Sequence, residues 1–341
     1  MLNTVKMQRI VLRGSAPHLE QISALTENSL LYLMLNLPFV CNYRCLKCCN
    51  LTESHTQESL RNRLTLDQLQ QLIEEASSLG FSVLVIAGEG EPLLDKNFRS
   101  IVALASRNRL IPYIFTNGTR LDEDAINFLA EHTASLIISL DSLDSQRYAQ
   151  LSGKNHSLKT VLTNTERCRT VYSRLHEQTP FGKLVSLAIN TVVTRLNMDE
   201  VEHIQQFCAD DIVFVCNRPT RIGLAENNWE LLYGSRPEIA DVDLIIERFS
   251  KEHGPLGSTS DSRWCAYMRN GVSIGYDGSI LTCAYAIETA GSYGTYRQGK
   301  LRDVNANVMN SVAAFYVEND HSRCILRHPF CFLVQNQRLC Q

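Results

Sequence analysis

The sequence predicts an α/β protein: an open, partial (β/α)6 barrel of the TIM type followed by a small cysteine-rich C-terminal domain. Apolar strand-like runs alternate with amphipathic helical stretches up to about residue 225. The run Phe81–Ala87 is typical of a strand buried on both faces of a parallel sheet. Five of the twelve cysteines follow residue 262, where the alternation has stopped. Six units are too few to close an eight-stranded barrel, so the barrel is expected to be open.

The predicted strands share an apolar core between polar or glycine-rich ends. In chain order they are Leu31–Val40, Phe81–Ala87, Ile111–Phe115, Ser135–Leu140, Leu184–Val193 and Asp211–Val215. Each is followed by a helical pattern, and this order predicts parallel strands with right-handed crossovers.

Helix ends are also visible in the sequence. Thr65 and Gln68 have the spacing of a capping box that opens a helix, and Gly80 ends its apolar stripe. Helices are further expected over Asp122–Glu131 and Ser157–Leu175. A second capping box is predicted at Asn197 and Glu200.

The chain divides into three regions on this reading. Residues 1–225 form the barrel, 226–261 a helix and a linker rich in Gly, Ser and Pro, and 262–341 the cysteine-rich domain. In the last region Asp277-Gly278 separates the apolar runs Val272–Tyr276 and Ser279–Cys283, which predicts a β-hairpin.

Composition excludes several classes of function. The 341 residues carry a formal net charge of −3, which argues against nucleic acid as a partner. The longest apolar run is too short to cross a bilayer, and no secretion signal opens the chain. Twelve cysteines without a secretory context indicate metal binding or catalysis rather than disulfides, and a reducing cytoplasm is the expected location.

The most informative motif is the C-x3-C-x2-C loop of Cys41, Cys45 and Cys48, directly after the first strand. Active sites of such barrels lie at the carboxyl ends of the strands. Iron–sulfur clusters are usually held by four thiolates, so three suggest a [4Fe–4S] cluster with one iron free to bind another molecule. The alternative is a tetrahedral zinc site with Cys49 as fourth ligand. Adjacent residues such as Cys48 and Cys49 point apart, which disfavours it.

Polar residues follow the other predicted strands. Strand two ends in Gly88-Glu89-Gly90-Glu91-Pro92, where the glycines allow close approach of a ligand and Glu91 can accept a hydrogen bond from an ammonium group. The candidate cofactor-binding residues at these strand ends are Gly90, Glu91, Pro92, Thr116, Asn117, Ser139, Asp141, Asn190 and Arg221. Each alone is more typical of a structural role, but their order along successive strands indicates one site.

Together these motifs resemble the radical SAM superfamily over about residues 31–225. The resemblance implies that the free iron of the cluster chelates the amino and carboxylate groups of S-adenosylmethionine. Reductive cleavage then yields a 5′-deoxyadenosyl radical that abstracts hydrogen from a substrate. It also implies an external electron donor: flavodoxin with its reductase, or ferredoxin. The family's Gly-Gly-Glu-Pro motif would bind the amino group at Gly90 and Glu91, but Glu89 replaces its first glycine.

The C-terminal pattern Cys265-x12-Gly278-x4-Cys283 is similar to the opening of the SPASM domain of radical SAM enzymes. The later C-x2-C pair of that domain is missing, which favours the shorter twitch version with one auxiliary [4Fe–4S] cluster. Its expected ligands are Cys265, Cys283, Cys324 and Cys331, with Cys340 competing for either of the last two positions. A zinc site built from the same residues is the alternative.

The substrate is less well specified. Only 40 residues precede Cys41, too few for a leader-binding domain, which favours a small natural-product molecule such as a sugar, aminocyclitol or nucleoside. Maturation of a ribosomally made peptide is the alternative, and a non-catalytic iron–sulfur or zinc protein is a third hypothesis. Oxidation and epimerisation both remain open as outcomes.

Overall fold

The computed structural model is organised around one open sheet. It describes residues 32–49, 60–81, 83–87, 89–175, 187–217, 223–234, 241–242, 244–246, 248–249, 271–281, 294–296, 301 and 303. The strands are β1 (Tyr32–Leu35), β2 (Val83–Ile86), β3 (Ile111–Thr116), β4 (Ser135–Ser139), β5 (Leu187–Val192), β6 (Val213–Asn217), β7 (Gly271–Ile274) and β8 (Ile280–Leu281). Their order is β6-β5-β4-β3-β2-β1-β7-β8. Neighbours from β6 to β7 are parallel, and β8 is antiparallel. The predicted partial barrel is confirmed.

Helices follow the strands and cover one face of the sheet. They are α1 (Leu66–Ser78), α2 (Phe98–Arg107), α3 (Glu123–Glu131), α4 (Ser145–Ser152), α5 (Leu158–Leu175), α6 (Val201–Cys208), α7 (Leu224–Asn227) and α8 (Trp229–Tyr233). Leu84 and Ile138 belong to the same buried cluster as the helix residues Leu72, Ile101 and Ile126. Because side chains alternate along a strand, the strand residues directly before and after Leu84 and Ile138 face the barrel interior.

The capping box at α1 is confirmed. The Thr65 hydroxyl accepts from the Gln68 backbone at 3.2 Å, and the Gln68 side chain accepts from the Thr65 backbone at 2.9 Å. After the C-cap residue Leu79, Gly80 has a φ of +88°, a conformation that favours glycine. Among the described residues, no helix is long and apolar enough to span a membrane.

The second predicted capping box, at Asn197 and Glu200, is wrong. A short 3-10 turn, Met198–Glu200, precedes α6, and the Asn197 side chain makes no cap hydrogen bond. It is fully buried and donates instead to the carbonyl oxygens of Asp141 and Val192. The Glu200 carboxylate accepts from the backbone of Leu143 and Asp144 at the start of α4. These tertiary hydrogen bonds replace the local ones.

The predicted hairpin at Asp277-Gly278 is confirmed, and Gly278 has a φ of +85°. The sequence did not predict that β7 also pairs in parallel with β1 and so extends the barrel sheet. Gly271 permits this contact, because an added Cβ would lie 2.3 Å from the ring of Tyr32. The boundaries of the three predicted regions remain a prediction. The tail cysteines Cys265, Cys283, Cys324, Cys331 and Cys340 lie outside the described residues.

Candidate functional site

The cysteine loop lies at the carboxyl end of β1 and is held on three sides. On the first side it meets the turn after β2, where the backbone N–H of Glu91 donates to the carbonyl of Val40 at 2.7 Å. Glu89 N–H donates to the carbonyl of Leu37 at 3.2 Å. An added Cβ on Gly90 would lie 2.3 Å from the Val40 oxygen, so only glycine fits between the two chains.

The second contact is with the C-terminal end of α4. Backbone N–H groups of Arg44 and Leu46 donate to the carbonyls of Ser152 and Leu151 at 3.0 and 2.9 Å. These carbonyls are the ones that a helix leaves without intrahelical partners. Gly153 ends the helix with a φ of +64°, and a Cβ there would lie 2.3 Å from the Arg44 oxygen.

The third contact comes from the segment that follows β6. Ala225 N–H donates to the carbonyl of Cys48 at 3.0 Å. Gly223 has a φ of +58°, and an added Cβ would lie 2.6 Å from the Cys49 oxygen. The loop backbone is therefore fixed by chain segments about 50, 110 and 180 residues away in sequence.

The three cysteines of the loop form no disulfide, and their side chains are partly buried. Burial raises the pKa of the Cys41 thiol, although the Tyr43 backbone N–H donates to its sulfur at 3.4 Å. Burial raises the pKa of Cys45 well above its usual range, and Lys47 partly opposes this. Three thiols on one fixed loop fit the donor set of a [4Fe–4S] cluster, whose ligands are thiolates. In the described part of the chain, no three Cys, His, Asp or Glu side chains are arranged to hold a single metal ion.

Glu91 is buried at the junction of β2 and β3. Its carboxylate accepts from the Thr116 hydroxyl and the Asn117 backbone, both at 2.7 Å, and from the Leu93 backbone at 3.3 Å. Burial raises the pKa of this carboxyl to about 7, with the hydrogen bonds opposing. Pro92 is also buried and opens a 3-10 turn.

Side chains after β3 connect that strand to the cysteine loop. The Asn117 amide donates to the Asn42 side-chain oxygen at 2.8 Å, and the Asn42 amide donates to the Thr119 hydroxyl at 2.8 Å. The Thr116 hydroxyl also accepts from the backbone of Gly118 at 3.0 Å. Thr116 and Asn117, both predicted as cofactor-binding residues, therefore have protein partners in this structure.

Asp141, at the end of β4, is paired with Lys47 from the cysteine loop. The Lys47 ammonium lies 2.5 Å from Oδ1 and also contacts Oδ2. Oδ1 accepts in addition from the backbone N–H of Val192 at 2.8 Å.

Ser139 and Asn190 lie side by side in the pairing of β4 with β5, on the interior face, and both are partly exposed. The Asn217 amide, at the end of β6, donates to the Asn190 side-chain oxygen at 2.5 Å. The neighbouring Thr191 faces away and donates to the carbonyl of Leu140. Arg221 lies outside the described residues.

Three side chains at this site were not predicted from the sequence. Asn42 and Lys47 lie within the cysteine motif, and Asn217 ends the sixth strand. The position of Asn217 at a strand end was a usable signal. Nothing local marks the partners of Asn42 and Lys47, because these lie 75 and 94 residues away.

Comparison with known proteins identifies the family. A model described as "Radical SAM superfamily" matches residues 35–208, just over half of the chain. The chain belongs to the radical SAM superfamily. The matched residues run from β1 through α6 and include the cysteine loop.

Two solved structures with bound S-adenosylmethionine are similar in fold to this chain. The structure of Streptococcus suis SuiB bound to S-adenosylmethionine has a TM-score of 0.62 and 14% identity, over 81% of this chain and 65% of SuiB. Native anSMEcpe with bound AdoMet has a TM-score of 0.59 and 15% identity, over 88% of each chain. The radical SAM chain described here thus spans about two thirds of the length of SuiB.

Proposed function

We propose that this radical SAM enzyme holds its [4Fe–4S] cluster with Cys41, Cys45 and Cys48 and abstracts hydrogen from a peptide substrate. The observation that carries the cluster assignment is the loop itself: its three cysteines form no disulfide and lie beyond the carboxyl end of β1, beside the turn of Gly90 and Glu91. A reduced cluster bound there would supply the one electron that cleaves S-adenosylmethionine to methionine and a 5′-deoxyadenosyl radical.

The protein's own residues orient the reactants. Gly90 lets the turn after β2 approach the chain just before Cys41, so the two segments keep one fixed relation. Glu91 contributes a carboxylate in a buried place where an ammonium group is a favourable partner, because opposite charges attract strongly when shielded from water. We propose that the amino group of S-adenosylmethionine binds at this turn, beside Glu91 and the 3-10 turn that Pro92 opens.

Side chains of the barrel interior complete the proposed pocket. Ser139, Asn190 and Asn217 offer uncharged donors and acceptors toward the interior, suited to hydroxyl groups of the cofactor ribose or of a substrate. The role proposed for Thr116, Asn117 and Asp141 is indirect. Their side chains bind those of Glu91, Asn42 and Lys47, respectively. Arg221 is proposed from its sequence position alone as a partner of the cofactor carboxylate.

Two relatives support the peptide substrate. SuiB has been solved with its precursor peptide SuiA, and anSMEcpe with the Kp18Cys peptide. A small molecule such as a sugar, aminocyclitol or nucleoside is the second candidate, favoured by the uncharged hydrogen-bonding groups of Ser139, Asn190 and Asn217.

An auxiliary [4Fe–4S] cluster in the tail is the further part of this proposal. Its ligands would be Cys265, Cys283, Cys324 and Cys331, or Cys340 in place of either of the last two. The β7–β8 hairpin supports it, because the hairpin turns the chain back between Cys265 and Cys283. Acceptance of an electron from the substrate radical by this cluster would give oxidation, and return of a hydrogen atom from a cysteine or tyrosine side chain would give epimerisation. Flavodoxin with its reductase, or ferredoxin, would supply the first electron.

The cluster assignment is tested with single cysteine variants. After anaerobic reconstitution, Cys41→Ala, Cys45→Ala and Cys48→Ala should each abolish 5′-deoxyadenosine formation from S-adenosylmethionine and dithionite. Cys49→Ala is the matched control, because it removes the adjacent cysteine and should leave the product unchanged. Product retained in any of the first three, or lost in Cys49→Ala, contradicts the assignment.

The substrate class is tested by the hydrogen atom that it loses. Cells are grown in deuterated medium, and their extract is divided by size into a peptide fraction and a small-molecule fraction. Each fraction is incubated with the enzyme and unlabelled S-adenosylmethionine. Deuterium in 5′-deoxyadenosine from the peptide fraction supports the proposal, whereas deuterium only from the small-molecule fraction supports the second candidate.

A further inference from the structure

A buried ion pair links the cysteine loop to the centre of the barrel. Lys47 lies between Cys45 and Cys48, and its ammonium contacts both carboxylate oxygens of Asp141. The Lys47 side chain is 11% exposed and that of Asp141 8% exposed. The charges attract more strongly at such a place than in water.

Both partners are fixed from outside the pair. The backbone N–H of Val192 donates to Asp141 Oδ1 at 2.8 Å, and the side-chain amide of Asn197 donates to the Asp141 carbonyl at 2.7 Å. On the other side, Leu46 N–H donates to a carbonyl at the end of α4. The ammonium is thereby held in the same short loop as the cysteine ligands. The carboxylate is held on the segment that follows β4.

We propose that Lys47 and Asp141 together set the reduction potential of the cluster in the cysteine loop. This inference rests on the proposed function, in which Cys41, Cys45 and Cys48 hold that cluster. Reduction adds one negative charge to the cluster, so a nearby cation favours the reduced state and a nearby anion opposes it. The Lys47 cation lies on the segment between two ligands, and the Asp141 anion paired with it offsets part of its effect on the potential.

The same arrangement gives Asp141 a role other than the one expected from sequence. Both of its oxygens are engaged by Lys47, and one accepts from Val192 as well. Asp141 therefore acts on the cluster charge and on the position of Lys47 rather than as a direct ligand of the cofactor.

The test is a redox titration of four anaerobically reconstituted variants beside the wild type, read by EPR. The signal followed is the one that changes when S-adenosylmethionine is added, which separates it from any cluster of the tail. We expect a more negative midpoint potential for Lys47→Met and a more positive one for Asp141→Asn. The double variant should lie between the two single variants and below the wild-type value, because the cation has the larger effect of the two. Lys159→Met, which removes a cation from an exposed position on α5, should not shift it.

The opposite signs distinguish this role from a structural one. If the pair only fixes the loop, both single variants lose iron to a similar extent and their loaded fractions keep the wild-type potential, which overturns the proposal. The double variant leaves no unpaired buried charge, so it keeps the test decisive if a single variant fails to load. A double variant that binds no cluster, or whose potential lies outside the range between the two single variants, also overturns it. A wild type that forms neither cluster nor 5′-deoxyadenosine would instead refute the proposed function.

Discussion

Replacing Gly90 by alanine should separate the turn after β2 from the chain that leads into the cysteine loop. An ideal Cβ at this position lies 2.3 Å from the carbonyl oxygen of Val40 and 2.6 Å from its backbone carbon and nitrogen. All three are backbone atoms, so no side chain can rotate away. One of the two segments must move, and the 2.7 Å hydrogen bond from Glu91 N–H to Val40 is lost or lengthened.

The cost follows from these contacts. Overpacking of a well-packed site costs about 1–3 kcal/mol, and loss of the hydrogen bond adds about 1 kcal/mol. We therefore expect the free energy of unfolding of Gly90→Ala to fall by about 2–4 kcal/mol. Because the displaced segment ends at Cys41, the variant should also bind less iron on reconstitution.

Gly80→Ala is the matched control. Gly80 has a φ of +88° and nothing within 4 Å of an added Cβ, so its variant is strained in its backbone but meets no neighbour. That strain costs about 1–2 kcal/mol and should leave iron binding unchanged. The assay is urea unfolding of the reduced apoprotein, followed by iron analysis after anaerobic reconstitution. Equal iron content in the two variants, with no larger loss of stability in Gly90→Ala, would refute the reasoning.

Three further predictions concern other parts of the site. Burial raises the pKa of Glu91 from 4.5 to about 7, so its contribution to apoprotein stability is full below about pH 4.5 and is lost as the pH rises through 7. The free energy of unfolding should fall by about 3 kcal/mol over this range. Urea unfolding of Glu91→Gln between about pH 5 and pH 8 should not show this fall. A variant with the same pH dependence as the wild type would contradict the burial argument. Asn197→Ala removes four hydrogen bonds at a buried position and should cost about 3 kcal/mol in urea unfolding. A change below about 0.5 kcal/mol, as at an ordinary surface site, would show that these bonds are dispensable. Replacing both Cys265 and Cys283 by alanine should remove one cluster's iron and stop substrate turnover while 5′-deoxyadenosine still forms; full turnover without that iron would exclude an auxiliary cluster from the reaction.

The fold was predictable because strands and helices follow local patterns of apolar residues. Thr65 and Gln68 begin α1 through a local hydrogen-bond pair, and the sequence located it correctly. The same spacing at Asn197 and Glu200 predicted a capping box that does not form, because both side chains meet stronger partners from distant segments. The pairing of β7 with β1 was missed for a similar reason, since about 240 residues separate the two strands.

The site was predictable in its position but not in its contacts. The ends of parallel strands meet at one edge, so Glu91, Asn117 and Asp141 could be placed near the cysteine loop from the sequence alone. Their partners could not, because the carboxylate of Asp141 is neutralised by Lys47 across 94 residues. The need for glycine at Gly153 and Gly223 is likewise visible only in the folded structure, where carbonyl groups of the cysteine loop lie against them.

The central claim is that Cys41, Cys45 and Cys48 hold a [4Fe–4S] cluster used to cleave S-adenosylmethionine. The most direct measurement is metal and sulfide analysis of anaerobically reconstituted protein, with a 5′-deoxyadenosine assay on the same sample. Iron and sulfide at the level of two cubane clusters, or one in the Cys265 and Cys283 double variant, with 5′-deoxyadenosine formed in both, is the predicted result. Zinc in place of iron, or a loaded and reducible cluster that forms no 5′-deoxyadenosine, would contradict it.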